Sequence, residues 1–234
     1  SGFSRSLWRS EVGVKSNIEK VLGILALVTM LVGSYVGLAV VPADAAQGNV
    51  QRLMYVHVPA AWLAFLAFFV VFVMSVLYLI QRDDRWDRVA ASSAEIGVVF
   101  TVLTLLLGMM WGKPTWGVFW TWDPRLTTTA ILLAIYVGYG ALRSFAEDGE
   151  KRARWSAIVG VIGFANVPIV YMSVTWWRTL HQPPSSPRSV DPDILWTLML
   201  NLAAFTLVYL YLMVRRVRYA KLEGELEKRM AYNA

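Results

Sequence analysis

Six apolar stretches, most of them about as long as a membrane is thick, divide the sequence. A helix needs about 18–20 apolar residues to cross a bilayer, and it satisfies its own backbone hydrogen bonds in lipid. Of the 234 residues, 57% are hydrophobic, which is too apolar for an ordinary soluble domain. We therefore predict an all-α integral membrane protein with a single six-helix domain over residues 1–234. The predicted spans are Val21–Val41, Val58–Ile80, Ala94–Trp111, Leu126–Leu142, Trp155–Trp176 and Ile194–Val214.

Lysine and arginine are distributed unevenly among the segments that join these spans. The N-terminal segment, the second and fourth loops and the C-terminal tail contain 17 of the 22 basic residues. Because short loops rich in basic residues stay on the cytoplasmic side, we predict that both termini are cytoplasmic. This distribution accounts for the formal charge of +6, so we predict no binding to nucleic acid. The predicted partner of the helices is the lipid bilayer.

Two terminal regions allow alternatives. A basic segment precedes the first span, as in a signal peptide, but its apolar run of about 20 residues exceeds the usual signal core of about 7–15. We therefore predict a true membrane span. The charged cytoplasmic tail, at about residues 215–234, is either a short helix that lies on anionic lipid or docks a partner, or a solvated continuation of the last span.

The predicted loop at about residues 112–125 is rich in tryptophan. Four tryptophans and a phenylalanine occur between Trp111 and Trp122. An aromatic belt at the membrane interface explains one or two tryptophans per helix end, but not this density. We interpret the loop as a platform for a large flat ligand such as a porphyrin, on which aromatic faces stack and Gly117 lets the backbone approach closely. Trp116 and Trp120 would share one face if this stretch is helical.

Asp123 precedes a proline where the fourth span begins, and Asp191 precedes another before the sixth span. Aspartate is a favourable N-cap residue, and proline suits the first position of a helix. Asp123 is therefore either a helix cap alone or a cap that also belongs to the ligand platform.

The chain contains two histidines and no cysteine. His57 precedes the second span and His181 follows the fifth, so the predicted topology places both on the side of the tryptophan-rich loop. Taken singly, each is a hydrogen-bonding residue of the membrane interface; taken together, they suggest axial ligation of haem iron. A zinc site would usually need three or four ligands, and the nearby aspartates show no suitable spacing.

Arginines on the same side are candidates to pair with the two propionates of a haem, because a guanidinium binds a carboxylate through two parallel hydrogen bonds. Arg52 is close in sequence to His57, and Arg125 is close to the tryptophan-rich loop, so we favour these two. Contact with lipid phosphate groups explains each arginine equally well when it is taken singly.

These residues together resemble a known family. The loop matches the WWD signature of the haem-handling proteins of cytochrome c biogenesis, and a histidine before the second span and another after the fifth complete the pattern. Over nearly its whole length the chain resembles the haem exporter protein C (CcmC) family. Phe119 and Pro124 depart from the pattern, where this family often has tryptophan and a small residue, respectively. The signature residues are Trp116, Gly117, Trp120, Trp122 and Asp123.

The resemblance implies a function in haem delivery. Proteins of this family hold haem b at the periplasmic side of the bacterial inner membrane, between the two histidines and the WWD loop. They transfer it to the membrane-anchored haem chaperone CcmE, in a complex with the ABC-type ATPase CcmA and the membrane subunits CcmB and CcmD. This sequence has no GxxxxGK[ST] phosphate loop, so ATP hydrolysis would belong to a partner and no enzymatic activity is expected.

Two other functions are considered. A membrane-bound b-type cytochrome would keep its haem for electron transfer, and such proteins usually carry paired histidines within helices. Here both histidines are predicted at or beyond helix ends, which favours a ligand that can leave. A subunit of a small-molecule transporter often has charged residues in mid-membrane; Glu95 comes nearest to this, at the predicted cytoplasmic end of the third span.

Overall fold

The computed structural model describes residues 2–146, 148–182, 188 and 190–233. Within these ranges the chain is helical, and no β-strand occurs. A π-helix, Val36–Val40, and a 3-10 helix, Asn49–Leu53, lie between the first two α-helices. The α-helices are α1 (Gly2–Tyr35), α2 (Met54–Gln81), α3 (Asp84–Trp116), α4 (Pro124–Phe145), α5 (Gly149–Phe164), α6 (Asn166–Trp176) and α7 (Pro192–Asn233).

Six segments of the described chain are long and apolar enough to cross a membrane, which confirms the predicted architecture; α5 and α6 together form the fifth segment. Several helices extend beyond the predicted spans, because hydropathy marks only the apolar part of a helix and not its polar ends. α3 is the clearest case, since it continues past Trp111 as far as Trp116. The tryptophan-rich loop is therefore shorter than predicted.

An aspartate precedes four of the helices. The side chains of Asp83, Asp123, Asp148 and Asp191 each accept a hydrogen bond from the backbone amide two residues later, at 2.8–3.0 Å. The first amides of a helix lack partners within the helix, so these carboxylates supply acceptors that the backbone cannot. The capping roles predicted for Asp123 and Asp191 are confirmed.

The fifth span is interrupted at Ala165, which separates α5 from α6. Pro168 explains the interruption, because it has no amide hydrogen to donate to the carbonyl of Phe164 and its ring crowds that carbonyl. After the break, Asn166 donates a hydrogen bond of 2.8 Å to the backbone carbonyl of Thr128 in α4. α6 therefore packs against α4, while α2 packs against α5 and scarcely contacts α6.

α2 is the central helix of the bundle. It packs against α3, α5 and α7, whereas α1 packs mainly on α7. The small side chains of Ala60, Ala64 and Ala67 are buried in this helix and let its neighbours approach closely. Phe68 stacks on Tyr136 of α4, with 3.6 Å between ring centroids. These contacts hold the start of α2, the end of α3 and the start of α4 in defined relative positions.

The end of the bundle that carries Arg143 and Arg216 is called the basic end. There the charged tail continues α7 as one helix to Asn233 and does not form a separate element. Arg216 of this continuation donates two hydrogen bonds of 2.6 and 2.8 Å to the carboxylate of Glu95 in α3. Glu95 is thus paired at the edge of the bundle.

Candidate ligand site between two histidines

A cavity lies between α2, α3, α4 and α6 at the opposite end of the bundle, which we call the histidine end. Its volume of about 430 Å³ falls in the range of small-molecule sites. Both histidines line this cavity, and most of the other lining side chains are apolar. The lining residues are His57, Val58, Ala61, Trp62, Ala64, Phe65, Thr101, Thr104, Leu105, Gly108, Arg125, Leu126, Thr129, Leu132, Val167, Pro168, Val170, Tyr171 and His181.

His57 lies in the first turn of α2 and contacts α3. Its ring meets the indole of Trp111 edge to face, with centroids 5.8 Å apart. A methyl group at Gly108 would lie 3.1 Å from Cε1 of His57, so the glycine provides room for the imidazole. The Nδ1 atom of His57 is buried and has no hydrogen-bond partner among the described residues. Contact with Trp111 and the room beside Gly108 therefore help to position this ring.

His181 follows α6 and is held by the start of α4. Its Nδ1 lies 3.1 Å from Oδ1 of Asp123. The other carboxylate oxygen, Oδ2, accepts hydrogen bonds from the hydroxyl of Thr179 at 2.6 Å and from the backbone amide of Leu180 at 2.7 Å. Asp123 is 5% exposed. Its carboxylate thus caps α4, as the sequence predicts, and also fixes the segment that carries His181.

The surroundings set the charge of this pair. Burial lowers the pKa of His181, although the neighbouring carboxylate partly opposes this effect. Burial alone would raise the pKa of Asp123, but the hydrogen bonds from Thr179 and Leu180 and the nearby His181 lower that pKa below its usual value. At neutral pH the pair is therefore a neutral imidazole and a carboxylate. The carboxylate keeps the proton on Nδ1, which leaves the lone pair of Nε2 available to a metal.

The aromatic residues of the loop occupy different positions. Trp116 ends α3 and meets the ring of His181, with 4.7 Å between centroids. Gly117 ends the helix with φ of 81°, a conformation that favours glycine; a methyl group there would meet no atom within 4 Å. Trp120 and Trp122 lie beyond the helix and contact each other edge to face at 5.7 Å. Trp116 and Trp120 therefore do not share a helix face, because the chain leaves the helix between them.

The two favoured arginines differ in position. Arg125 lines the cavity, and its Nη2 donates a hydrogen bond of 3.1 Å to the backbone carbonyl of Tyr171. Arg52 does not line the cavity. Its guanidinium donates to the carbonyls of Gly37 and Val41 and to the side chain of Asn49, at 2.9–3.1 Å. It thereby joins the end of the π-helix to the 3-10 helix.

Several residues of the site carry no signal in the sequence. Thr179 is an ordinary loop threonine until the fold places its hydroxyl against Asp123. Gly108 lies inside an apolar helix, and nothing in its neighbourhood along the chain points to His57. Trp62 and Tyr171 follow patterns typical of membrane helices, yet both line the cavity.

Fold and site together define a class: a membrane-spanning helical bundle that holds two imidazoles around an apolar cavity beside an aromatic loop. The chain belongs to the CcmC family, described as "Heme exporter protein C", which matches residues 9–232.

Individual relatives resemble the chain over most of its length. It is 39% identical to "Heme exporter protein C" of Bradyrhizobium diazoefficiens, over 84% of this chain and 76% of that protein. It is 37% identical to "Heme exporter protein C" of Escherichia coli, over 84% and 81% of the two chains. A "Putative cytochrome c biosynthesis ccmC-like mitochondrial protein" of Marchantia polymorpha is 38% identical over 73% and 74%.

Proposed function

We propose that this protein is the haem-binding membrane subunit of a cytochrome c maturation system. It binds haem b at the periplasmic side of the bacterial inner membrane, with both termini in the cytoplasm, and transfers it to the chaperone CcmE. The observation that carries the proposal is the placement of both histidines around a single apolar cavity. Membership of the CcmC family supports the same function.

The two imidazoles suit the axial positions of haem iron. His181 presents Nε2 because Asp123 engages Nδ1, which is the usual way in which a carboxylate orients a metal-binding histidine. His57 contacts Trp111 and fits beside Gly108, and its buried Nδ1 has no partner within the described part of the chain. His57 also lines the cavity, so its imidazole is in reach of a ligand bound there. Bound haem would supply an iron centre that accepts both ligands.

Arg125 is the arginine best placed for a propionate. It lines the cavity, and the hydrogen bond that its guanidinium makes to Tyr171 goes to a neutral carbonyl. A guanidinium can therefore still pair with a carboxylate of the ligand. The described contacts of Arg52 go to the backbone and to Asn49 instead, so we leave Arg52 out of the propionate site.

The loop is suited to transfer because part of its aromatic surface is exposed. Trp122 is 80% exposed and Phe119 54%, while Trp116 touches His181. His181 itself lies outside the helices, in a segment tied to the rest of the site through Asp123. A ligand held at one side by a loop residue can be released by a small local movement. CcmA, CcmB and CcmD would supply the ATP-driven step, because this chain has no phosphate loop.

Absorbance and resonance Raman spectra of the purified full chain loaded with haem test the binding. We expect a low-spin spectrum with two imidazole ligands, which both His57→Ala and His181→Ala convert to another ligation state. Trp196→Phe is a matched control, since this exposed aromatic residue does not line the cavity. Unchanged axial ligation in both histidine variants would overturn the assignment of the ligands.

Transfer needs its own measurement. Replacement of Trp116, Trp120 and Trp122 by alanine should impair covalent loading of CcmE in cells that express the complete maturation system. Haem-stained gels of the chaperone measure the loading, and the spectrum of the purified variant separates loss of binding from loss of transfer. Normal loading of CcmE would contradict the role of the loop as a platform.

A further inference from the structure

Four helices line the histidine-end cavity, but only two of them, α2 and α6, contribute lining residues that are exposed. Trp62 on α2 and Pro168 and Tyr171 on α6 line the cavity and are also exposed. Trp62 is 58% exposed and Tyr171 51%. By contrast, each lining residue of α3 and α4 is buried or only partly exposed. The cavity therefore opens sideways, between α2 and α6.

The interruption of the fifth span produces this opening. α5 packs on both α2 and α4, but beyond Ala165 the chain stays against α4 and scarcely touches α2. Toward the basic end the space is closed. There Phe164, at the end of α5, packs on Phe69 and Phe72 of α2, with ring centroids 5.8 and 4.8 Å apart. Aromatic rings thus close the gap toward the basic end, and no described helix lies between α2 and α6 to cover it.

The opening lies within the apolar part of the bundle. Trp62 is five residues after His57 in α2, which corresponds to about 7.5 Å along the helix axis. It belongs to the membrane-spanning segment Asn49–Gln81, and Tyr171 belongs to Gly149–Trp176. The side chains that flank the gap are two aromatic rings and a proline, and none is charged. Tryptophan and tyrosine rings favour the boundary between lipid chains and headgroups, so this edge suits contact with the bilayer.

We propose that the cavity is loaded from the bilayer, through the gap between α2 and α6 that Trp62 and Tyr171 flank. The identity of the ligand as haem rests on the proposed function. Haem is a flat apolar ring with propionates at one edge, so it can slide edge-on between two helices. Arg125 lines the cavity and binds the backbone of Tyr171, so a cation stands beside the path where the propionates pass.

The chain has no cysteine, so a single thiol can be placed at either side of the gap and modified with a bulky maleimide. Trp62→Cys and Tyr171→Cys test the route. Trp196→Cys is the matched control, because Trp196 is 74% exposed and does not line the cavity. Each labelled or unlabelled full chain is reconstituted into phosphatidylethanolamine–phosphatidylglycerol vesicles, and haem is supplied within the bilayer of donor vesicles. The Soret band follows loading over time.

We expect the label at Trp62→Cys or Tyr171→Cys to slow loading about tenfold or more, equivalent to about 1.4 kcal/mol in the barrier, and the label at Trp196→Cys to have no effect. Equal rates with and without the label at both test positions would overturn the route. If the label prevents loading altogether, the unlabelled chain is first loaded with haem and then labelled, and the escape of haem is followed. A blocked route traps haem and slows its escape to acceptor vesicles, whereas escape at the unlabelled rate overturns the proposal.

Failure of the proposed function and failure of the lateral route give different results. If the unlabelled wild-type chain gives no spectrum with two imidazole ligands, haem binding between the histidines is wrong, and the route loses its ligand. If that spectrum is present and labelling leaves both loading and escape unchanged, binding stands and only the lateral route is wrong.

Discussion

The two ends of the helix bundle differ in what their polar side chains bind. At the basic end Arg143 donates two hydrogen bonds, of 2.6 and 2.8 Å, to the carboxylate of Asp87, and Arg216 binds Glu95 in the same way. At the histidine end the buried Nδ1 of His57 has no partner among the described residues. Arg143 and Arg216 at one end are thus paired with carboxylates, while the imidazole of His57 at the other end lines an apolar cavity.

This difference separates stability from ligand binding. A paired arginine and aspartate on neighbouring helices hold those helices together and leave little capacity for another partner. A buried polar atom without a partner costs free energy, and a ligand that binds the atom can offset that cost. Asp123 shows how the two roles combine: it caps α4 and also orients His181. The comparison predicts that substitutions at the two ends have separable consequences.

The largest expected effect is on stability, at the basic end. Arg143→Met leaves the carboxylate of Asp87 without its partner, and loss of one member of a largely buried pair costs about 3 kcal/mol. The side chains of the pair are 18% and 13% exposed. The free energy of unfolding in mixed micelles measures the loss. Lys151→Ala, which breaks a far more exposed pair with Asp148, is the control and should change stability little.

The haem spectrum of Arg143→Met should match that of the wild type. The double variant Arg143→Met/Asp87→Leu should recover much of the lost stability, because it removes the uncompensated charge as well. If Arg143→Met instead changes the axial ligation, the two ends are coupled and stability is not separable from ligand binding.

The next effect is on haem affinity, at the histidine end. Asp123→Asn keeps a side chain that can cap α4 but removes the negative charge that orients His181, so affinity should fall about 10–100-fold. Titration of the purified chain with haem measures this change. Asp191→Asn is the matched control, because Asp191 caps α7 in the same Asp-Pro context. A similar loss of affinity in both variants would indicate a general effect of capping.

A third effect appears in the pH dependence. Iron binds the neutral imidazole, and burial lowers the pKa of His181, so protonation competes only below the ordinary imidazole value of about 6.5. Affinity should therefore be constant near neutral pH and fall under acid conditions. Because Asp123 raises this pKa, Asp123→Asn should move the acid loss of binding to lower pH even though it weakens binding at pH 7. A shift to higher pH would contradict the assigned hydrogen bond.

The smallest effect concerns the room beside His57. Gly108→Ala adds a methyl group 3.1 Å from Cε1 of the imidazole, so the ring must move by a few tenths of an ångström. Overpacking of this kind costs about 1 kcal/mol, and haem affinity should fall by a factor of about five. Electron paramagnetic resonance of the ferric form reports the altered ring orientation. Gly140→Ala in α4, where a methyl group meets no atom within 4 Å, should leave both measurements unchanged.

Local patterns in the sequence predict the features that depend on neighbouring residues. Six spans follow from apolar length, because crossing a bilayer requires only a continuous apolar run. The caps at Asp123 and Asp191 follow from the Asp-Pro pairs, because a helix cap depends only on residues that are close in the chain. The interruption at Ala165 does not follow from the sequence although Pro168 is visible, since proline is often accommodated inside membrane helices when neighbours satisfy the freed carbonyl.

Apolar run lengths and residue spacing are enough to predict a six-span helical membrane protein with a WWD motif and one pair of histidines. What these residues touch depends on the tertiary structure. Asp123 binds a histidine 58 residues away, and Arg52 faces backbone carbonyls of the preceding segment and not the cavity. Such contacts depend on how helices pack and where a helix ends or breaks. The lateral gap has the same origin, because it exists only where α6 diverges from α2.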